Sequence, residues 1–303
     1  MKNAKNKVLC TKRYPEPSRC RLPRPRDASE IDQEVHTGPE TFITNGILSL
    51  ARTFNILDQK HSLGTTSMDI TKFAIPEIIF GRGSLNYAGQ CALRLGAKKV
   101  FLVSDEGIEE AGWLQRLMDI LEKEGIKWVY YPGVTSNPRD FQVEQGAEFY
   151  SKNGTDVIIA IGGGSAMDTA KGIAIIASNG GRIRDYEGAN RVQRPLPPMM
   201  LITTTAGSGS DISQFCIITD MKRGVKMSII TRTLVPNISI VDPLILRTKT
   251  ESLIIQSAVD ALAHAIEAYM SRIASPFTEI HSLRAIDLIL ANLQRAVATR
   301  SLD

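Results

Sequence analysis

The sequence predicts an α/β fold, a parallel sheet covered by helices on both faces, followed by a region built of helices alone. Three observations predict it. From about Ser67 to Arg247, short apolar runs alternate with amphipathic stretches across short connections, the pattern of strand–helix–strand units in a parallel sheet. Three glycines, Gly162 to Gly164, stand between an apolar run and a helix-like stretch. After Arg247 only helical periodicity is left. A chain of 303 residues that is 43% hydrophobic can bury a substantial core, which excludes disorder throughout.

Residues 1 to 44 are polar, charged and interrupted by proline, and are expected to be disordered or loosely attached. Asn45 to Asp58 fits one short helix capped by Asn45, with Ile47, Leu50, Ala51, Phe54 and Leu57 on one face. Ile78 to Phe80 is a strand ending at Gly81-Arg82-Gly83, and Ser84 to Leu95 a helix stopped by Gly96. Val100 to Val103 is an apolar strand that runs into Ser104-Asp105. Gly112 to Glu124 carries Trp113, Leu114, Leu117, Ile120 and Leu121 at helical spacing, and a strand follows at Trp128 to Tyr131. Phe141 to Lys152 is a helix after the turn Ser136-Asn137-Pro138. The apolar run Asp156 to Ile161 precedes the glycines and the helix Ala166 to Ala177 follows them.

Further strands are expected at Met199 to Thr203, at Phe215 to Thr219 paired with Val225 to Ile230, and at Ile238 to Val241. Glu251 to Met270 and Phe277 to Ala296 are helices. The chain is thus expected to divide into an extension over 1–66, an α/β domain over 67–247 and a partial helical domain over 248–303.

The formal charge is +4, but residues 1–26 hold nine Lys or Arg and one acid, so the tail carries +8 and the body −4. Basicity confined to a tail with no aromatic platform beyond Tyr14 speaks against a nucleic-acid partner. The four cysteines show no CxxC spacing and no disulfide framework. No stretch is long and apolar enough for a membrane span, and the N-terminus lacks a secretory apolar region. Pro15, Pro17, Pro23 and Pro25 would break the amphipathic helix of a transit signal. A cytoplasmic protein with no membrane partner is the expectation.

A strand, a side-chain-free turn and a helix start together offer backbone N–H groups and the helix dipole to a phosphate. The glycines therefore point to a phosphorylated cofactor, with a turn of purely structural use as the competing reading. In a plain dinucleotide fold an acid about twenty residues after the glycines takes the ribose. Here the best acid, Asp105, comes before them. At a strand end it could accept from a ribose hydroxyl and repel a 2′-phosphate, favouring NAD over NADP, or simply cap the next turn. Asp260 and His264 are four residues apart on one predicted helix, spacing that suits a shared metal ion or a hydrogen-bonded pair. Glu267 continues that face, and His281 lies on the next helix.

Five segments, FAIPEIIFGRGSL, NPRDFQVEQGAEFYSKNGTDVIIAIGGGSAMDTAKGIAI, TTTAGSGSDISQFCIITD, VPNISIVDP and DALAHAIEAYMSRIASPFTEIHSLRAI, together resemble the iron-containing, group III alcohol dehydrogenases. Within them the chain is most similar to the ethanol-oxidation and ethanolamine-utilisation branch. The resemblance runs from about residue 67 to the end. It implies an α/β dinucleotide-binding domain with a Rossmann-like parallel sheet, then an all-α metal-binding domain that is incomplete here, with catalysis between them. It implies NAD and Fe2+ or Zn2+ as cofactors, a small alcohol or aldehyde as substrate, and a homo-oligomer. Asp105 matches the ribose-selecting acid and Asn137 the adenosine-side loop. Gly163 and Gly164 match the pyrophosphate contacts, with Ser165 beside them. Thr204, Thr205 and Ser208 match the polar loop near the nicotinamide, and Lys226 a cofactor-side lysine. Asp260 and His264 match the first two metal ligands.

The resemblance singles out no further catalytic side chain. Relatives complete the metal site with two histidines downstream, and this sequence stops at Asp303 before either. Asp211, Ala258 and Thr203 stand where Glu, Gly and Pro are usual. The expected activity is hydride transfer between alcohol and aldehyde. A nucleotide-binding remnant without turnover and a dehydroquinate-synthase-like enzyme are the alternatives.

Overall fold

The computed structural model describes residues 73–299. The extension over 1–66, with its expected helix at Asn45 to Asp58, lies outside them. Six parallel strands form the main sheet: β1 (Glu77–Phe80), β2 (Lys99–Val103), β3 (Lys127–Tyr131), β4 (Val157–Gly162), β6 (Met199–Thr203) and β9 (Ile238–Val241), in the order β1-β9-β6-β4-β2-β3. Between β4 and β9 in sequence, β5 (Gly188–Ala189), β7 (Phe215–Asp220) and β8 (Val225–Ile230) make a separate three-stranded sheet.

The strand sequences explain why both faces of the main sheet are covered. Phe101 and Val103 of β2, Ile158 and Ala160 of β4 and Leu201 of β6 enter one buried cluster. Their neighbours Val100, Leu102, Val157, Ile159, Ile161, Met200 and Ile202 enter the other. Side chains alternate across a strand, so an apolar run without alternation is stable only where helices cover both sides. On the first face these are α4 (Asp140–Asn153) and α5 (Gly164–Asn179). On the second they are α1 (Ala88–Arg94) and α3 (Trp113–Lys123).

Three local differences from the sequence expectation have physical causes. The helix expected from Ser84 opens as a 3-10 turn over Ser84–Tyr87, because Asp242 at the end of β9 accepts from the N–H groups of Gly83 and Leu85 at 3.0 and 3.1 Å. A short helix, α2 (Glu106–Glu110), follows β2 and is capped by Asp105; five residues are too few to show a period. Helix α5 starts at Gly164, inside the glycine run rather than after it.

After α6 (Pro243–Leu246) come α7 (Glu251–Met270) and α8 (Pro276–Thr299). Thr250 caps α7 by accepting from Leu253 N at 3.3 Å. At the start of α8, Ser275 and Thr278 exchange side-chain-to-backbone hydrogen bonds ahead of Pro276, a helix start with proline in its first turn. The two helices pack on each other, yet of α7 only Ala265 is buried. Val259, Met270, Phe277 and Ile280 stay half or more exposed. No helix among the described residues is long and apolar enough to cross a membrane.

Candidate functional site

The order of the strands builds the site. β4 lies between β2 and β6, and all three are parallel. Their C-terminal ends therefore sit side by side, so the glycines after β4 have Ser104-Asp105 on one flank and Thr204-Thr205 on the other. Two hydrogen bonds tie these ends together: Ser104 Oγ donates to Ile161 O at 2.8 Å, and Thr204 N donates to Gly162 O at 3.0 Å.

Close approach explains the absence of side chains at the glycines. A Cβ on Gly162 would stand 2.5 Å from Ala166 Cβ and 3.1 Å from Asp105 Oδ2. On Gly163 it would meet Thr205 Cγ2 at 3.3 Å, and on Gly164 the Ser208 Oγ at 2.9 Å. Gly163 is the cap residue of α5 and provides no side-chain hydrogen bond to it, leaving the first N–H groups of a sixteen-residue helix for another acceptor. Ser165 lies in that first turn, and its carbonyl accepts from Thr169 Oγ1 at 2.8 Å. Thr204 is fully buried, and its Oγ1 has no hydrogen-bond partner among the described residues. A buried unpartnered hydroxyl beside an uncapped helix start is a polar cradle that fits a phosphate-bearing ligand.

Of the two roles that its position allowed Asp105, the structure shows the cap. Asp105 caps α2, accepting from Ile108 N at 3.2 Å through Oδ1, while Oδ2 is the atom that a Cβ on Gly162 would meet. Thr203 Oγ1 donates to Thr205 O at 2.8 Å and shapes the following loop.

That loop also meets the helix pair. A Cβ on Gly207 would lie 2.9 Å from Ser257 O and 3.2 Å from Asp260 Oδ2, so only glycine lets the loop reach α7. Asp260 thereby comes close to the same loop that carries Thr205 and Ser208. His264 Nε2 is 3.8 Å from Asp260 Oδ1, and both side chains are about half exposed, at 53% and 52%. His281 does not join them. Its Nδ1 lies 2.6 Å from Phe277 O, and its ring stacks on Phe73 at 5.8 Å.

Asn137 and Lys226 are held at the small sheet. Asn137 has the left-handed φ of 56° in the turn before α4. Next to it, Pro138 O accepts from Thr219 N at 2.7 Å, and Thr219 is the register partner of Lys226 across β7 and β8. The two residues share one strand, β7, as their support.

What joins this edge to α5 is a buried network that residue spacing does not single out. Asp168 on α5 accepts from Ser210 Oγ and, at 3.1 Å, from Ile217 N. Lys171, fully buried, donates to the carbonyls of Ser213 and Phe215 at 2.8 and 2.9 Å. Burial pushes the Asp168 carboxyl up and the Lys171 ammonium down, and each is opposed by the other's charge. Nearby, Asp211 accepts from Ser239 Oγ at 2.7 Å. A helix as apolar as α5 is buried all round, so two charges within it must be paired. That was the available signal.

A parallel sheet with a glycine cradle at its C-terminal edge, followed by helices, fits an α/β dinucleotide-binding domain followed by an α-helical domain. Residues 76–243 match the family described as Iron-containing alcohol dehydrogenase, and 254–301 the Fe-containing alcohol dehydrogenase family, C-terminal. The chain belongs to the iron-containing alcohol dehydrogenase family. It is 39% identical over 230 residues to the NAD-dependent methanol dehydrogenase of Bacillus methanolicus, covering 76% of this chain and 60% of that protein. It is 40% identical over 240 residues to alcohol dehydrogenase 4 of Schizosaccharomyces pombe, covering 78% and 57%. Among solved structures, 1,3-propanediol oxidoreductase superposes with a TM-score of 0.75 at 35% identity, over 77% of this chain and 61% of that one. The chain thus spans about 60% of the length of the curated relatives it matches.

The family uses NAD and iron. The cradle fits the first; the described residues do not fit the second. Asp260 and His264 are two candidate ligands on one half-exposed helix face, and no group of three or more His, Cys, Asp or Glu suited to a metal occurs among the described residues. Metal sites of this kind draw three or more protein ligands. The chain loaded with Fe2+ or Zn2+ and then desalted is expected to retain well under one ion per chain by elemental analysis. Stoichiometric retention would show that further ligands reach this pair.

Proposed function

We propose that this chain is the cofactor-binding part of an NAD-dependent dehydrogenase acting on small alcohols or aldehydes. The observation that carries the reading is the cradle: an uncapped helix start at Gly164, the buried unpartnered Thr204 hydroxyl and Asp105 in one place. In this reading the N–H groups of Gly164 and Ser165 hold the pyrophosphate, with Gly163 giving room for it. Asp105 accepts from the adenosine ribose. Thr204, Thr205 and Ser208 orient the nicotinamide half, while Asn137 and Lys226 border the cofactor from the small sheet.

The bound nicotinamide supplies the hydride chemistry. The protein orients it and excludes water, a task supported by the cavity of about 250 Å³ beside Thr205 and Ala206. Asp260 and His264 are the residues offered to a metal. The methanol and propanediol dehydrogenases among the relatives support a short primary alcohol as substrate.

We further propose a domain boundary after residue 247, a cytoplasmic location and a homo-oligomer. The half-exposed Ile78 and the 74% exposed Phe80 on β1, the edge strand among the described residues, support the last, since an apolar edge invites pairing. A nucleotide-binding protein without turnover is the second reading, and the two-ligand Asp260–His264 pair favours it.

Calorimetric titration separates the cofactors. NADH is expected to bind more tightly than NADPH, and Asp105→Gly to shrink that preference. Failure of both cofactors to bind would remove the reading, and tighter NADPH binding by the unaltered chain would remove Asp105 as the selector.

A further inference from the structure

Helix α5 meets the loop after β6 at two points one turn apart. Ser208 lies over Gly164, where a Cβ would stand 2.9 Å from its Oγ. Ser210 lies over Asp168, on the same face of the helix one turn further along, and donates its hydroxyl to the Asp168 carboxylate. Gly209 between them has the left-handed φ of 61° and open space where a Cβ would stand, a backbone conformation that turns both serines toward the helix without steric cost. The second Asp168 oxygen accepts from Ile217 N at 3.1 Å, so the carboxylate that holds Ser210 is itself held.

The anchored serine sets what the exposed one can do. Ser210 N donates to Ser208 Oγ at 3.3 Å, the one hydrogen bond of that hydroxyl among the described residues. A hydroxyl has one proton and two lone pairs. With a lone pair taken by an N–H, the Ser208 proton is left to donate, beside the helix start whose first N–H groups are also left to an acceptor. Ser208 is exposed, whereas Ser210 and Asp168 are 6% and 8% exposed. The donor faces the cleft and its support lies behind it.

We propose that Ser210 and Asp168 are positioning residues for the cofactor: they hold Ser208 so that its hydroxyl donates to the same pyrophosphate as the N–H groups of α5. This rests on the cofactor reading above and adds two buried residues that act from behind the ligand. Ser208 thereby orients the nicotinamide half through its phosphate rather than through the ring. A hydroxyl already fixed by an N–H meets the phosphate with less ordering still to be done, and a bond to a charged acceptor is the stronger kind.

The test is calorimetric titration of NADH and ADP-ribose into the full chain and into Ser208→Ala, Ser210→Ala and the double variant, with thermal midpoints of the unliganded proteins recorded alongside. Ser208→Ala is expected to weaken both ligands about tenfold, the loss of one hydrogen bond to a charged group, because ADP-ribose lacks the nicotinamide but keeps both phosphates. Ser210→Ala is expected to weaken both about fivefold, and the double variant to bind within about twofold of Ser208→Ala alone, since Ser210 acts only through Ser208. Ser210→Cys keeps a weak donor to Asp168 and is expected to bind between the unaltered chain and Ser210→Ala; it takes the place of Ser210→Ala in the comparison should that variant not fold. A lower thermal midpoint with unchanged affinity, or losses that multiply in the double variant, would overturn the positioning role while leaving the cofactor reading intact. A Ser208→Ala loss seen with NADH and absent with ADP-ribose would put the hydroxyl at the ring and overturn the phosphate contact. If the unaltered chain binds neither ligand, the cofactor reading and this inference fall together.

Discussion

Replacing Lys171 with methionine is expected to lower stability by about 3–5 kcal/mol, the cost of removing one partner from a buried charged network. Methionine fits the volume but leaves the carbonyls of Ser213 and Phe215 without their donor. It also leaves the buried Asp168 carboxylate without the cation that opposes its burial. For a protein of this size the thermal midpoint should fall by about 6–20 °C, readable by circular dichroism or calorimetry. The companion change Asp168→Asn, combined with Lys171→Met, is expected to cost less than the two single changes summed, because no stranded charge is left. A drop under about 1 kcal/mol for Lys171→Met would mean that water reaches the site and that the network does not hold the 210–217 segment to α5.

The second large effect is expected at Gly164. A methyl group there would meet the Ser208 Oγ and Cβ at 2.9 and 3.0 Å. A serine side chain is too short to move aside without its backbone, so the loop must shift. Overpacking of this kind costs about 1–3 kcal/mol, and here it acts on the contact that shapes the cradle. Gly164→Ala should therefore weaken NADH binding by roughly 5- to 150-fold while the helix itself, which gains a better helix former, loses little stability. Gly163→Ala meets Thr205 Cγ2 at 3.3 Å and should have a smaller effect. Unchanged NADH affinity in Gly164→Ala would exclude the start of α5 as the pyrophosphate site.

Much of the fold was legible because the signals are local. The strands Met199–Thr203, Val225–Ile230 and Ile238–Val241 and the helix Glu251–Met270 have the limits that the sequence predicts, since apolar periodicity and turn residues bound each of them. Helix α2 was not legible, for its five residues show no repeat. Residue propensity puts the start of α5 two residues late because glycine is a poor helix former, yet Gly164 occupies the first turn where its missing side chain makes room for Ser208.

The candidate site divides in the same way. The glycines, Asp105 and the Asp260–His264 pair stand out by residue type and spacing. Lys171 does not, because its meaning lies in partners far along the chain, the carbonyls of Ser213 and Phe215.

By itself the sequence determined that this is a strand–helix alternation with a glycine turn and a helical end, because backbone period and helix stop signals act over a few residues. Only the tertiary structure decided that Asp105 and Thr204 flank the same glycines. That outcome depends on β4 lying between β2 and β6, and strand order is set by which faces bury together across the whole sheet rather than by any local run of residues.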